Sequence, residues 1–163
     1  MDIEKLCSDM NDWLVNVRRD LHKTPELGLK EFETKEKIKK YLDEIRISYT
    51  EYKNTTAIVA QINGGFEKTV ALRADIDALP IDEELDLDYK SQNPGVMHAC
   101  GHDSHIAILL GAGAILQSIK DQLHGTVKLV FQPSEEEALF PGAQGIVDSG
   151  ILDDVDEIYG LHV

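Results

Sequence analysis

The stretch His98-Ala99-Cys100-Gly101-His102-Asp103-Ser104-His105, which leads into an apolar run over residues 106–116, decides how this chain folds. Five of its eight residues can bind a metal, and the run behind it predicts a buried helix. Cys100 and His102 are one residue apart, so an extended backbone points their side chains to the same side. A thiolate and an imidazole that converge suit a borderline cation such as zinc. The stretch predicts a metal site at a helix start; the alternatives are a polar helix N-terminus and, less favoured, a Cys–His nucleophile pair.

The flanking segments predict alternating helices and strands. Apolar residues at three-and-four spacing predict one amphipathic helix before Pro25, and a second helix is expected over residues 30–45. Residues 57–62 and 70–73 are strand-like and flank a turn at residues 63–65, so we expect an antiparallel hairpin. The other predicted elements are a long ordered loop over residues 75–94, helices over 104–120 and 143–149, and strands over 126–131 and 157–163. This alternation indicates an α/β three-layer sandwich with a central mixed sheet.

Length and charge limit the class of protein. At 163 residues the chain has the length of one domain, and its net charge of −14 repels phosphate backbones, which argues against nucleic-acid binding. The longest apolar run is too short to cross a bilayer, so we expect no membrane association. The start, Met1-Asp2-Ile3-Glu4, lacks the regions of a secretion signal, and a disulfide between the two cysteines would be unusual in a reducing compartment. We expect a cytoplasmic protein.

Carboxylates and a histidine at the predicted strand ends are candidates to complete the site. Asp75 and Asp77 follow one strand, and Glu135 and Glu136 follow another after a proline break. Sites in open α/β sheets form at the carboxyl ends of strands, and adjacent carboxylates repel each other unless a cation is present. The alternatives are an ordinary loop for the aspartates and a solvated acidic turn for the glutamates. His162 in the last predicted strand gains weight only beside these partners, because a lone histidine in an apolar strand is usually a core residue.

Several longer motifs resemble, in the same order, the amidohydrolase branch of the aminoacylase and carboxypeptidase-type dinuclear metallopeptidases. That branch contains N-acyl-amino-acid amidohydrolases, hippurate hydrolases, auxin-conjugate hydrolases and N-acetyldiaminopimelate deacetylases. The motifs are RRDLH (residues 18–22), PELG (25–28), LRADIDALP (72–80), NPGVMHACGHDSH (93–105), FQPSEE (131–136) and GLHV (160–163). The resemblance implies a zinc-exopeptidase-like fold, with this chain as the first part of the catalytic domain.

Carried over residue by residue, the resemblance implies two divalent metal ions, with zinc or manganese favoured and cobalt or nickel also compatible. The implied ligands are Cys100, His102, Glu136 and His162, and Cys100 would bridge the two ions. Glu135 is the implied general base. Asp77 is the implied catalytic aspartate that steadies the metal site, and Asp75 is the next candidate. The residues expected to surround the ligands without binding the ions are His98, Asp103 and His105.

The implied reaction is hydrolysis of the amide bond of an N-acyl amino acid or a small peptide. The chain departs from the family pattern where Glu137-Ala138-Leu139-Phe140 replaces the glycine that usually follows the paired glutamates. Family members also continue into a lid and dimerisation domain and a second catalytic part. We therefore expect residues 1–163 to be the N-terminal part of a longer enzyme that is dimeric when complete. The open alternatives are an inactive metal-binding fragment and one half of a split enzyme that needs a second chain.

Overall fold

A computed structural model describes residues 2–137, 139 and 142–163 of the chain. The loop in which the family pattern is interrupted contains Ala138, Phe140 and Pro141, which lie outside the described residues. The helices are α1 (Ile3–Asp9), α2 (Asn11–His22), α3 (Phe32–Glu44), α4 (His102–Ser118) and α5 (Gly142–Asp148). The strands are β1 (Ser48–Glu51), β2 (Ile58–Asn63), β3 (Thr69–Asp75), β4 (Thr126–Gln132) and β5 (Glu157–Gly160). Within the described residues, no helix combines the length and the apolar character needed to span a bilayer.

The first amphipathic segment forms two helices, which corrects the prediction of one. The break lies at Met10, whose N–H bonds to the Cys7 carbonyl at 3.2 Å. A bond to the third residue back tightens the last turn of α1 and interrupts the regular α-helical ladder. The α-helical pattern resumes after the break, where the Leu14 N–H donates to the Met10 carbonyl oxygen, four residues back, at 2.9 Å.

The five strands form one mixed sheet in the order β1-β2-β4-β3-β5. The predicted hairpin between β2 and β3 is wrong, because β4 lies between them, antiparallel to β2 and parallel to β3. The reason is the connection through α4: parallel neighbours need a long crossover, and the loop and helix between β3 and β4 provide one. β1 was not predicted, and its sequence Ser-Tyr-Thr-Glu is mostly exposed.

Helices cover both faces of the sheet and produce a three-layer α/β fold. Alternate residues of β2 and β4 point to opposite faces, as the two-residue period of a strand requires. Ile58, Leu129 and Phe131 pack under α2, α3 and α4 in the larger core. Val59 and Val130 face α5 and the segment after it in the smaller core. The larger core holds α2, α3 and α4 against one face of the sheet, and the smaller core holds α5 and the segment after it against the other.

Three parallel strands end at the same edge of the sheet. β3, β4 and β5 run in one direction and end at Asp75, Gln132 and Gly160. β5 ends before His162, which corrects its placement inside the strand: pairing with β3 stops at Gly160, and the Val163 N–H turns to His105 Nε2 at 3.2 Å. Residues 76–101 form a long loop tied down by two isolated bridges. The loops after these strands and the start of α4 therefore meet at one place.

Candidate metal centre

His102, the first residue of α4, is the centre of the site. Its side chain is fully buried, and its Nδ1 lies 2.9 Å from the Asp77 carbonyl oxygen and 3.2 Å from Asp77 Oδ1. Both Asp77 atoms are acceptors when the carboxyl is ionised, so Nδ1 must carry the proton. In a neutral ring Nε2 then presents its lone pair. That nitrogen is buried without a hydrogen-bond partner among the described residues, and it lies 3.9 Å from carboxylate oxygens of both Glu135 and Glu136.

Asp77 connects this imidazole to the loop of the paired glutamates. Its Oδ2 accepts the backbone N–H of Glu136 at 2.9 Å while Oδ1 faces His102. Burial raises the pKa of Asp77, but the hydrogen bonds from His102 and from the Glu136 backbone outweigh burial and leave that pKa below its ordinary value. For His102, burial acts in the opposite direction and lowers the pKa. The hydrogen bond to Asp77 and the negative charges of Asp75 and Asp77 outweigh burial, so the pKa of His102 is raised.

Cys100 contributes a sulfur atom at the mouth of the site. Ligand atoms of Cys100, His102 and Glu136 all lie within 4.8 Å of one another. The Cys100 sulfur is also 3.4 Å from His162 Nε2. Burial, the hydrogen bond to Glu136 and the surrounding negative charges raise the pKa of Cys100 to about 11. The thiol is therefore a thiolate at neutral pH only beside a positive charge.

A second group of possible ligands shares His102. Atoms of Asp75, His102, His105 and His162 lie within 4.8 Å of one another. Asp75 is paired with the Arg73 guanidinium, and His105 Nδ1 lies 3.8 Å from Asp75 Oδ2. Burial and the neighbouring imidazoles lower the pKa of His105 to about 4, so this ring is neutral. Its Nε2 accepts the Val163 N–H, so the proton lies on Nδ1, and this ring could bind an ion only after the contact with Val163 is lost. The structure thus brings all four predicted ligands, Cys100, His102, Glu136 and His162, to one place.

Asp103 and His98 face away from this cluster. Asp103 Oδ2 binds His22 Nδ1 at 2.6 Å and Arg18 Nε at 2.8 Å. His98 is buried beside the His22 ring, with centroids 6.3 Å apart, and burial lowers its pKa to about 4. Both residues lie beside His22 of α2, and among the described residues neither belongs to the two groups of possible ligands.

Sequence reasoning assigned no role to three buried residues that support the site. His22 links Asp103 to Glu83, with its Nε2 at 3.1 Å from Glu83 Oε1, and so ties α2 to both the long loop and α4. Glu31 accepts the Ser134 N–H at 2.8 Å, directly before the paired glutamates. His22 lies in the RRDLH motif, which is the signal that could have found it. Glu31 and Glu83 belong to no motif, and a buried acid cannot be distinguished from a solvated one by its neighbours in sequence.

The residues present fit a pair of divalent cations. The buried Nε2 of His102 is oriented by the Asp77 acceptors on the other side of its ring, as metal-binding imidazoles usually are. A sulfur, imidazole nitrogens and carboxylate oxygens form the mixed donor set that zinc and its neighbours accept. The carboxylates gathered here, Asp75, Asp77, Glu135 and Glu136, need positive charge to offset their repulsion.

Comparison with known proteins gives one family. A model of "Peptidase family M20/M25/M40" matches residues 71–163. An IAA-amino acid hydrolase (ILR1-like 5) of Arabidopsis thaliana is 47% identical over 155 residues, which cover 95% of this chain and 35% of that protein. An N-acetyl-L-cysteine deacetylase of Bacillus subtilis is 46% identical over 156 residues, which cover 95% of this chain and 37% of that protein.

A solved structure agrees with the fold. The Bacillus subtilis YXEP protein, described as a dinuclear metal binding peptidase from the M20 family, superposes with a TM-score of 0.89 at 41% identity. The match covers 95% of this chain and 44% of that chain. The chain thus spans between 35% and 44% of the length of these three relatives.

Proposed function

Because the chain belongs to peptidase family M20/M25/M40, we propose that it holds two divalent metal ions and carries most of the active site of an amidohydrolase. The proposed reaction is hydrolysis of the amide bond of an N-acyl amino acid or a small peptide. One observation carries the proposal: the buried Nε2 of His102, which has no hydrogen-bond partner in the part of the chain that the structure describes, lies close to possible ligand atoms of Cys100 and Glu136. Similarity to an IAA-amino acid hydrolase and an N-acetyl-L-cysteine deacetylase supports a small amino-acid conjugate as the substrate.

We assign the ions to the converging side chains of the cluster. Cys100, His102, Glu136 and His162 are the proposed ligands, and Asp75 and His105 lie close enough to contribute. Zinc or manganese is the proposed metal, because a thiolate favours zinc and carboxylates accept manganese. The raised pKa of Cys100 argues against the alternative of a thiol nucleophile, which requires a thiolate without a cation beside it.

Bound divalent ions would lower the pKa of a water molecule and polarise the scissile carbonyl. Glu135 is the proposed general base and acid. Its carboxylate lies 3.9 Å from His102 Nε2, and 38% of its side chain is exposed, so it is reachable by both water and substrate. It accepts the proton of the attacking water on a carboxylate oxygen and later donates that proton to the leaving amine. Asp77 keeps His102 in the Nδ1–H tautomer throughout.

Three single substitutions in one loop test these roles. Glu135→Gln is expected to lower kcat on N-acetyl amino acids by roughly 100-fold or more while metal content stays unchanged. Glu136→Gln is expected to lower metal affinity. Glu137→Gln is the matched control, because this carboxylate is exposed and belongs to neither ligand group. Absence of bound metal in the unaltered chain, or normal turnover by Glu135→Gln, would refute the assignment.

A split enzyme is the second candidate, and the free edge of β5 favours it. Among the described residues β5 pairs only with β3, and all four of its residues are exposed. An adjacent cavity of about 220 Å³ is lined mainly by apolar side chains, among them Leu72, Ile108, Leu109, Tyr159 and Leu161. A second polypeptide that extends the sheet would cover both and complete the site.

Mixing experiments distinguish the candidates. Turnover that appears only after addition of a chain corresponding to the rest of a relative supports the split enzyme. Bound metal with no turnover in either case supports a non-catalytic metal-binding protein. Turnover by the chain alone supports the first proposal without a partner, and the mass of the active species then reports whether it is a homodimer.

A further inference from the structure

Two buried carboxylates hold the backbone of the loop that carries the paired glutamates. The Ser134 N–H donates to Glu31 Oε1 at 2.8 Å, and the Glu136 N–H donates to Asp77 Oδ2 at 2.9 Å. The N–H of Glu135, between them, also helps to lower the pKa of Asp77. Successive N–H groups that point to one side form a concave anion site. Here the anions are the side chains of the protein itself.

Ser134 has a backbone conformation that requires support. Its φ is +53°, in the left-handed region that costs a non-glycine residue roughly 1–2 kcal/mol. Ser134 is fully buried, and its conformation sets the direction in which the chain enters Glu135. A change at this residue would rotate both glutamate side chains relative to His102.

Glu31 is a fully buried carboxylate, and burying a carboxylate costs the free energy of its hydration. Its hydrogen bonds offset that cost. It lies directly before α3 with none of its surface exposed, and its Oε2 accepts the Thr56 hydroxyl at 2.7 Å. Burial raises the pKa of Glu31, and the hydrogen bonds from Thr56 and Ser134 oppose that effect. Packing alone would be served as well by an apolar side chain, so the carboxylate is best explained by the N–H group that it accepts.

Gly28 packs closely against the loop that carries the paired glutamates. A Cβ atom added at Gly28 would lie 2.9 Å from Glu137 Cγ and 3.2 Å from Ser134 Cα. The backbone at Gly28 therefore lies against Ser134 and Glu137. A shift of Ser134 towards Gly28 is blocked by this contact, and a shift away from Glu31 breaks the hydrogen bond to its carboxylate.

We propose that Glu31 is a positioning residue of the metal centre, which holds Ser134 in its left-handed conformation and so directs Glu135 and Glu136 towards His102. The roles of the two glutamates rest on the proposed function. The bond between Glu31 and the loop does not, and it can be tested separately.

The test compares Glu31→Leu, Glu31→Gln and Glu26→Leu. Leucine removes both acceptor atoms of Glu31 at similar volume. Glutamine keeps an oxygen for the Ser134 N–H and presents an amide to the Thr56 hydroxyl, which can also accept. Glu26→Leu is the matched control: that carboxylate accepts the N–H groups of Glu33 and Thr34 at the start of α3.

Two readouts are measured on each variant of the 163-residue chain: amide hydrogen exchange at residues 134–136, and affinity for added Co²⁺ with the thiolate–cobalt absorption of Cys100. Glu31→Leu is expected to speed exchange at these amides by about tenfold or more relative to those of β4. It is expected to weaken Co²⁺ binding by roughly 10- to 100-fold. In Glu31→Gln and in Glu26→Leu, the exchange rate and the Co²⁺ affinity should both stay close to those of the unaltered chain.

The outcomes separate this proposal from the proposed function. Unchanged exchange in Glu31→Leu, or an equal increase in Glu26→Leu, overturns the positioning role. Absence of Co²⁺ binding by the unaltered chain refutes the metal centre, and the exchange data still decide whether Glu31 holds the loop. If Glu31→Leu does not fold, Glu31→Asp replaces it: one methylene shorter, the carboxylate keeps its charge but does not reach Ser134, and fast exchange is again expected.

Discussion

The Asp77 carboxylate contacts two separate parts of the site. One carboxylate oxygen faces the His102 ring and the other accepts the Glu136 backbone, so a single residue orients an imidazole from α4 and a loop from β4. Its full burial strengthens both bonds, because few water molecules compete for the same groups. The effect of changing it should therefore appear at both partners.

Asp77→Asn is expected to weaken metal binding by roughly 10- to 100-fold, the usual effect of losing a residue that orients a metal-binding histidine. The amide offers only one acceptor oxygen, so either His102 Nδ1 or the Glu136 N–H would face an NH₂ group. Calorimetric titration with Zn²⁺ measures the change. Asp82→Asn is a suitable control, since that carboxylate accepts the Gly95 N–H in the long loop, away from His102 and Glu136. Equal affinities for the unaltered chain and Asp77→Asn would contradict the orienting role.

His22 is expected to make stability depend on pH. The hydrogen bond to Asp103 raises the pKa of His22 above its ordinary value of about 6.5, in spite of burial. A raised pKa means that the imidazolium stabilises the fold fully below pH 6.5, and that this contribution is lost as the pH rises through the folded-state pKa. His22→Gln should therefore lower the free energy of unfolding by more at pH 6 than at pH 9.

Urea unfolding of both proteins in the presence of a chelator measures that difference without a contribution from bound metal. At pH 6 the loss of a buried, paired charge should cost roughly 3 kcal/mol. If the difference in free energy of unfolding between the unaltered chain and His22→Gln stays constant or grows towards pH 9, the His22 ring is neutral in the folded protein.

Single site residues could be predicted from sequence where several residues of the ligand type lie next to one another in the chain. Cys100 and His102 are recognisable because ligand-type side chains follow one another within eight residues. Glu31 and Glu83 are not recognisable, since their partners lie 103 and 61 residues away. An acid in an amphipathic or loop segment has the same local pattern whether it is solvated or buried. Only the tertiary fold determines which of the two applies.

At the scale of elements, local patterns predicted most helices and strands but not their pairing. β2, β4 and α4 follow from long apolar or alternating runs, because burial imposes that pattern directly. The order of the strands depends instead on the connection through α4, which inserts β4 between β2 and β3. A turn-like sequence between β2 and β3 is compatible with either arrangement. β1 was missed because an exposed edge strand has no apolar face to detect.

Two glycines in helices predict opposite effects of substitution. A Cβ atom at Gly113 of α4 would lie 2.6 Å from the buried Leu129 side chain and 3.2 Å from Ile47. Gly113→Val is therefore expected to lower the free energy of unfolding by about 2 kcal/mol through overpacking between α4 and the sheet. At Gly145 of α5 no atom of the described residues lies within 4 Å of an added Cβ, so Gly145→Ala should raise stability by about 1 kcal/mol.

Denaturant midpoints of the two variants check this pair of predictions. Each serves as the control for the other, because both add bulk to a helical glycine. A loss of stability in Gly145→Ala would mean that α5 packs more tightly than the structure indicates. A neutral result for Gly113→Val would mean that Leu129 can move aside without cost.

At the scale of the whole molecule, the mixed sheet brings the site residues together and also leaves an edge strand exposed. Because β3, β4 and β5 are parallel, Asp77, the paired glutamates and His162 all follow the carboxyl ends of these strands, beside the start of α4. The same arrangement leaves β5 outermost among the described strands, with Ile158 52% and Tyr159 56% exposed. An exposed apolar edge strand is a site where another strand can pair. The net charge of −14 opposes association in general but does not protect one short edge at physiological salt.

Ile158→Lys is expected to reduce self-association of the chain by placing a charge on that edge, while the fold is retained because the side chain is half exposed. Ile3→Lys is the matched control: this residue of α1 is 56% exposed and undergoes the same change of charge away from the sheet. Light scattering over a range of protein concentrations compares the three proteins. A selective decrease in Ile158→Lys assigns association to β5, because both variants have the same net charge. An equal decrease in both would assign it to surface hydrophobicity in general, and the edge strand would then have no special part in bringing a second polypeptide to the site.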